Sequence, residues 1–75
     1  MATREELADL LAVDVMAAMD ATGDHRLWEA VAAEIGITSP TSQEAFVTAI
    51  RIRMSDQRAR RFLAERIEEM QKATG

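Results

Sequence analysis

The apolar residues of the first third of the chain recur every three or four positions, the spacing of an amphipathic helix. Thr3 and Glu6 form a capping-box pair that begins this helix, and Gly23 suits the left-handed turn that ends one. Asp14 falls inside the expected core face, so we expect it to be buried and paired with a late arginine or with another chain. The residues expected to form that face are Leu7, Leu10, Leu11, Val15, Ala18 and Met19.

Similar signals delimit two further helices. Asp24 can cap the second helix, and Gly36 is a suitable left-handed residue to end it. Two start signals for the third helix overlap in residues 39–44: Ser39 followed by Pro40, and a second capping box. The apolar stripe of the second helix consists of Leu27, Trp28, Val31 and Ile35.

The apolar stripe changes direction near Ser55 and Asp56. We therefore predict a break there and an all-α bundle of four helices, at about residues 4–21, 25–35, 41–54 and 56–72, in a single domain of residues 1–75. The stripe before the break is Phe46, Val47, Ile50 and Met54, and the stripe after it is Ala59, Phe62, Leu63, Ile67 and Met70.

A continuous helix from about residue 41 to 72 is the alternative. Such a helix would be about 45 Å long, too long for so small a globule unless two chains share it as a homodimer. Six apolar residues keep the rhythm of about 3.5 residues that this alternative requires: Ala45, Ala49, Ile52, Ala59, Leu63 and Met70.

The composition limits where the protein can be located in the cell and what can stabilise its fold. The 75 residues include no cysteine, so no disulfide or thiolate metal site can stabilise the small core. The start of the chain lacks the basic and apolar runs of a secretion signal, and no stretch reaches the roughly 20 apolar residues of a membrane span. We expect a cytoplasmic protein that does not enter membranes. Its alanine- and arginine-rich, lysine-poor usage is typical of GC-rich bacterial or phage genomes.

The side chains that catalysis needs are scarce. The chain has one histidine, His25, and its serines, Ser39, Ser42 and Ser55, all fall at predicted helix starts, where capping explains them. A single histidine without a second ligand at suitable spacing does not predict a metal site. We therefore expect no enzymatic activity, cofactor, metal ion or small-molecule substrate.

Two irregularities instead indicate protein binding. Val13 and Met16 point away from the expected core face of the first helix, into its acidic sector. Charge is also uneven: residues 1–50 carry two basic and nine acidic side chains, and residues 51–75 carry seven basic and four acidic ones. Arginines at the positive end of a fourth helix would require compensation. We predict a partner-binding surface formed by Val13, Met16, Arg51, Arg58, Arg61 and Arg66.

Two resemblances supply alternative functions. Residues 31–38 resemble the first helix and turn of a helix-turn-helix, which implies DNA binding, although the net charge of −4 lacks a basic footprint. Residues 36–44 are similar to the acyl carrier protein pattern, which implies phosphopantetheine on Ser39, although Thr38 and Pro40 depart from it. Our main prediction is a non-catalytic protein–protein interaction module, a regulatory, adaptor or accessory component that self-associates and does not bind nucleic acid.

Overall fold

The chain forms three consecutive α-helices in a computed structural model that describes residues 1–74. Helix α1 spans Arg4–Thr22, α2 spans Leu27–Thr38 and α3 spans Pro40–Thr74. The described residues contain no strand, which confirms the all-α prediction. The four-helix prediction is wrong, because the predicted third and fourth helices are one helix of 35 residues.

Short-range signals fix most of the helix ends. The Thr3 hydroxyl accepts a hydrogen bond from the Glu6 backbone N–H at 3.0 Å, as the capping box predicts. Gly23 adopts a φ of 75° and donates its N–H to the Met19 carbonyl oxygen. At α3, Ser39 is the residue before the helix and Pro40 is its first residue, so the first of the two start signals is used.

The boundaries of α2 differ from the prediction at both ends. His25 and Arg26 lie in the turn before the helix, where Asp24 Oδ1 accepts from the Arg26 N–H at 3.1 Å. Gly36 does not end α2 but lies within it, and the helix continues to Thr38. A Cβ atom at position 36 would be 2.5 Å from the Gln43 side-chain nitrogen, so the glycine makes room for Gln43 of α3.

The core lies where all three helices meet, and alanines bring the helices close together. Phe46 and Ile50 of α3 are fully buried. They pack with Ala32 of α2 and with a face of α1 that consists of Ala8, Ala12, Val15 and Met19.

The core face of α1 is rotated by about a quarter turn from the prediction: Val15 and Met19 are buried as predicted, but the leucines are not. Leu10 is 61% exposed, Leu7 and Leu11 are also exposed, and Asp14, expected to be buried, is exposed. Two small alanines allow a close helix approach that leucines on that face would prevent, so side-chain size rather than hydrophobicity selects the buried face.

The chain does not break near Ser55 because nothing local breaks it. No glycine or proline lies between Thr41 and Thr74. Asp56 also accepts a hydrogen bond from Arg60 Nε at 2.9 Å, an i,i+4 ion pair of the kind that stabilises a helix. The apolar stripe therefore rotates because the two halves of α3 have different neighbours, and not because the helix ends near Ser55.

The long α3 makes the molecule elongated. Its extents are 56 × 28 × 17 Å and its Cα radius of gyration is 16.0 Å, whereas a compact domain of this length has a radius of about 11 Å. The accessible surface is 5874 Å², against about 4,600 Å² for a compact monomer of this mass. The excess, about 1,300 Å², is larger than the roughly 800 Å² that one partner buries in a standard interface.

Candidate interaction surface

The second half of α3 extends beyond the globule, and we call residues 55–74 the α3 extension. All of its residues are exposed. Four of them are large and apolar, namely Phe62, Leu63, Ile67 and Met70, and Leu63 is 56% exposed. An exposed patch of large apolar side chains like this one is typical of an interaction surface.

A stripe of nine residues follows a heptad repeat along most of α3. Two of them, Ala45 and Ala49, are half-buried against the core, and the other seven are exposed. The members of the stripe alternate between intervals of four and three residues, which is the spacing of the contact seam in a coiled coil. Seven of the nine members are apolar, and the two polar ones, Asp56 and Arg66, lie five residues before and five after Arg61. The full stripe is Ala45, Ala49, Ile52, Asp56, Ala59, Leu63, Arg66, Met70 and Ala73. The sequence rhythm indicates six of its seven apolar members, all except Ala73.

The stripe continues onto the globule as an open groove. Ala45, Ala49 and Ile52 of α3 line it on one side, and Glu5 and Asp9 of α1 line it on the other. The groove has a volume of about 490 Å³. It can accept large apolar side chains of a helix that lies along α3.

A bidentate ion pair joins α1 to α3 at the end of this groove. Arg53 Nε donates to Asp9 Oδ1 and Arg53 Nη2 donates to Asp9 Oδ2, both at 2.6 Å. Hydrogen bonding to Arg53 lowers the pKa of the Asp9 carboxyl and raises that of the guanidinium. A helical wheel centred on the leucines predicts this pairing for Asp14 and not for Asp9, because it places Asp14 on the core face.

Three of the six predicted partner-binding residues share one groove. Met16, Arg58 and Arg61 line a depression together with Asp20 and His25, near the end of α1. Met16 also packs against the core, so it is only partly available.

The other three predicted partner-binding residues lie apart. Val13 is exposed on α1, and the Arg51 guanidinium lies 5.9 Å from the centre of the Trp28 ring, a cation–π contact. Arg66 lies in the extension, 3.5 Å from Glu69. Because α3 is continuous, the arginines at 58, 60 and 61 are in mid-helix and are not at a positive helix end, so that expected dipole conflict does not exist.

A second apolar surface was not predicted. Leu7 and Leu11 line a groove with Ile35 and Phe46, and Leu10 is exposed beside them. The apolar spacing of α1 predicts a core position for these leucines. Their exposure follows from the use of the alanine face of α1 for packing.

The geometry gives no support to the two alternative functions. Ser39 is half-buried, accepts from the Ser42 N–H at 3.1 Å and donates to the Ser42 hydroxyl at 2.9 Å, so its hydroxyl caps α3. Only Ser39 separates α2 from α3, whereas a helix-turn-helix uses a turn of about three to four residues.

Residues 1–74 contain neither a metal-binding cluster nor a membrane-spanning helix, and the chain matches no known protein family. Within residues 1–74, no group of three histidine or acidic side chains is arranged to hold a metal ion. No helix in that range combines the length and apolarity needed to cross a membrane. No protein-family model, curated protein or solved structure matches the chain.

Proposed function

We propose that the protein is a non-catalytic interaction module that self-associates through the α3 extension. The observation that carries this proposal is the exposed heptad stripe, which includes Leu63 and Met70 on a helix that projects from the globule. A second copy of α3 presents a stripe of the same spacing, so each can cover the other.

The stability of the extension supports the same proposal. An exposed helical segment gains little stability by itself, because most helical stability in proteins comes from burial of an apolar face. The four large side chains of the extension are exposed in a single chain. Burial of each stabilises by about 1.5–3 kcal/mol, so association stabilises both the helix and the complex.

Two neighbouring substitutions test the proposal. Leu63→Glu places a charge in the stripe, whereas Ala64→Glu places the same charge on another side of the helix. We expect Leu63→Glu to raise the dimer dissociation constant about 100-fold and Ala64→Glu to leave it near the wild-type value. Sedimentation equilibrium measures both constants.

A thermal unfolding curve for each variant controls for damage to the fold. Both positions are exposed and distant from Phe46, so the globule should stay intact. Equal dissociation constants for the two variants would contradict the proposal, because association would then not use the stripe.

A further inference from the structure

We infer that two copies associate with their α3 helices antiparallel, with the twofold axis at the level of Arg61. The inference rests on the proposed function and adds the orientation and register of the partner. It depends on a symmetry of the stripe: apart from Ala45, each member has a suitable partner at the same number of residues on the other side of Arg61.

The symmetry brings opposite charges together. In this register Asp56 lies opposite Arg66 of the second copy, and Arg66 lies opposite Asp56 of the second copy, so the two polar positions of the stripe form two cross-chain ion pairs. The apolar positions pair as Ala59 with Leu63 and Ile52 with Met70. Small faces large next to the axis, which favours close packing.

Other arrangements place these charges badly. Parallel helices in register would put Asp56 against its own copy and Arg66 against its own copy inside an apolar seam, where like charges are costly. An antiparallel shift of one heptad in either direction would place Asp56 and Arg66 opposite apolar side chains. Only the register centred on Arg61 pairs both charges.

Features next to the stripe fit the same register. Phe62 lies one residue from the axis, so the two copies of Phe62 differ by about 3 Å along the axis and can pack together. Met70 of the second copy reaches Ile52, which lines the groove between α1 and α3. The groove of each copy thus receives the end of the other extension.

Engineered cysteines test the orientation, and the absence of native cysteine makes them unique. Ala59→Cys and Leu63→Cys chains are oxidised separately and as an equimolar mixture. In the antiparallel register residue 59 faces residue 63, whereas the two copies of residue 63 have Cα atoms about 10 Å apart, beyond the roughly 7 Å that a disulfide spans. We expect crosslinking in the mixture and little in either single variant.

The outcomes separate the two proposals. Crosslinking of Leu63→Cys alone, with a dimeric mass, would overturn the antiparallel register and leave the interaction module standing. A monomeric mass for the unmodified chain would overturn both. A dimer without crosslinks in any sample would also overturn the register, because residues 59 and 63 would not meet.

Charge exchange tests the two ion pairs. We expect Asp56→Arg and Arg66→Asp each to weaken association about tenfold or more at low salt, because each creates two like-charge contacts. The double variant D56R/R66D recreates both pairs and should restore wild-type affinity. Asp56 also pairs with Arg60 in its own chain, but the double variant shares that loss, so rescue would report the cross-chain pairs alone. Unchanged affinity in both single variants would contradict the register.

Discussion

Asp9 and Arg53 hold α1 against α3 through two parallel hydrogen bonds between a carboxylate and a guanidinium, each 2.6 Å long. The pair joins residues 44 positions apart in sequence. The side chains of Asp9 and Arg53 are partly exposed, at 47% and 39% respectively. Solvent therefore screens the attraction between their charges, and the paired hydrogen-bond geometry contributes more to the stability of the ion pair than the charges do.

The Asp9 pair predicts a dependence of stability on acid. The pKa of Asp9 is lower in the folded protein than the roughly 3.9 of an unfolded aspartate. The ion pair therefore stabilises the fold above that pH, and this stabilisation is lost as the pH falls through the pKa of Asp9 in the folded protein. Thermal unfolding of the wild type and of Asp9→Asn, at neutral pH and below the pKa of Asp9 in the folded protein, measures this stabilisation. The difference between them should shrink in acid, and a constant difference would contradict the prediction.

The buried aromatic residue should dominate the stability of the globule. Phe46→Ala should cost about 3–5 kcal/mol, because Phe46 is fully buried and its removal leaves a cavity. A loss of that size approaches the whole stability of a small domain. Leu10→Ala is the matched control, since Leu10 is exposed, and should change stability by less than about 0.5 kcal/mol. Urea unfolding compares the two, and a large loss for Leu10→Ala would place that leucine in a core or an interface.

The two internal glycines should respond oppositely to alanine. Gly23→Ala should destabilise by about 1–2 kcal/mol, because Gly23 has a φ of 75° that alanine adopts with strain. Gly36→Ala should be neutral or stabilising by up to about 1 kcal/mol, because alanine favours the helix interior and the Gln43 side chain can move aside. Chemical denaturation provides both values. A larger loss at Gly36 would show that Gln43 cannot move.

The helicity of the α3 extension should depend on protein concentration. Residues 62–70 should exchange their backbone amide hydrogens more slowly in concentrated solution than after dilution, because covering the stripe stabilises the helix against local opening. Residues 46–50 serve as the internal control, since Phe46 and Ile50 are buried within one chain and should not change. Equal protection of the extension at all concentrations would contradict a role for association.

The sequence predicted those features that depend on a few adjacent residues. Thr3, Gly23 and the Ser39–Pro40 pair mark helix ends in the structure as they do in the sequence, because capping is a local interaction. Gly36 is the exception, since it lies within α2 beside the Gln43 side chain and does not end the helix.

Features that depend on packing were predicted poorly. The leucines of α1 are more hydrophobic than Ala8 and Ala12, but close helix contact requires the smaller residues. With the alanine face turned toward the core, Asp9 and not Asp14 forms the ion pair. The break expected near Ser55 came from treating both apolar stripes as faces of one small core. The first half of α3 packs in the globule and the second half projects from it, so one continuous helix has two differently oriented apolar faces.

The molar mass of the unmodified chain in solution tests the central claim most directly. Light scattering over a range of concentrations should give twice the chain mass of 8.3 kDa at high concentration and fall toward the chain mass on dilution. A mass of one chain at every concentration up to the millimolar range would contradict self-association through the α3 extension.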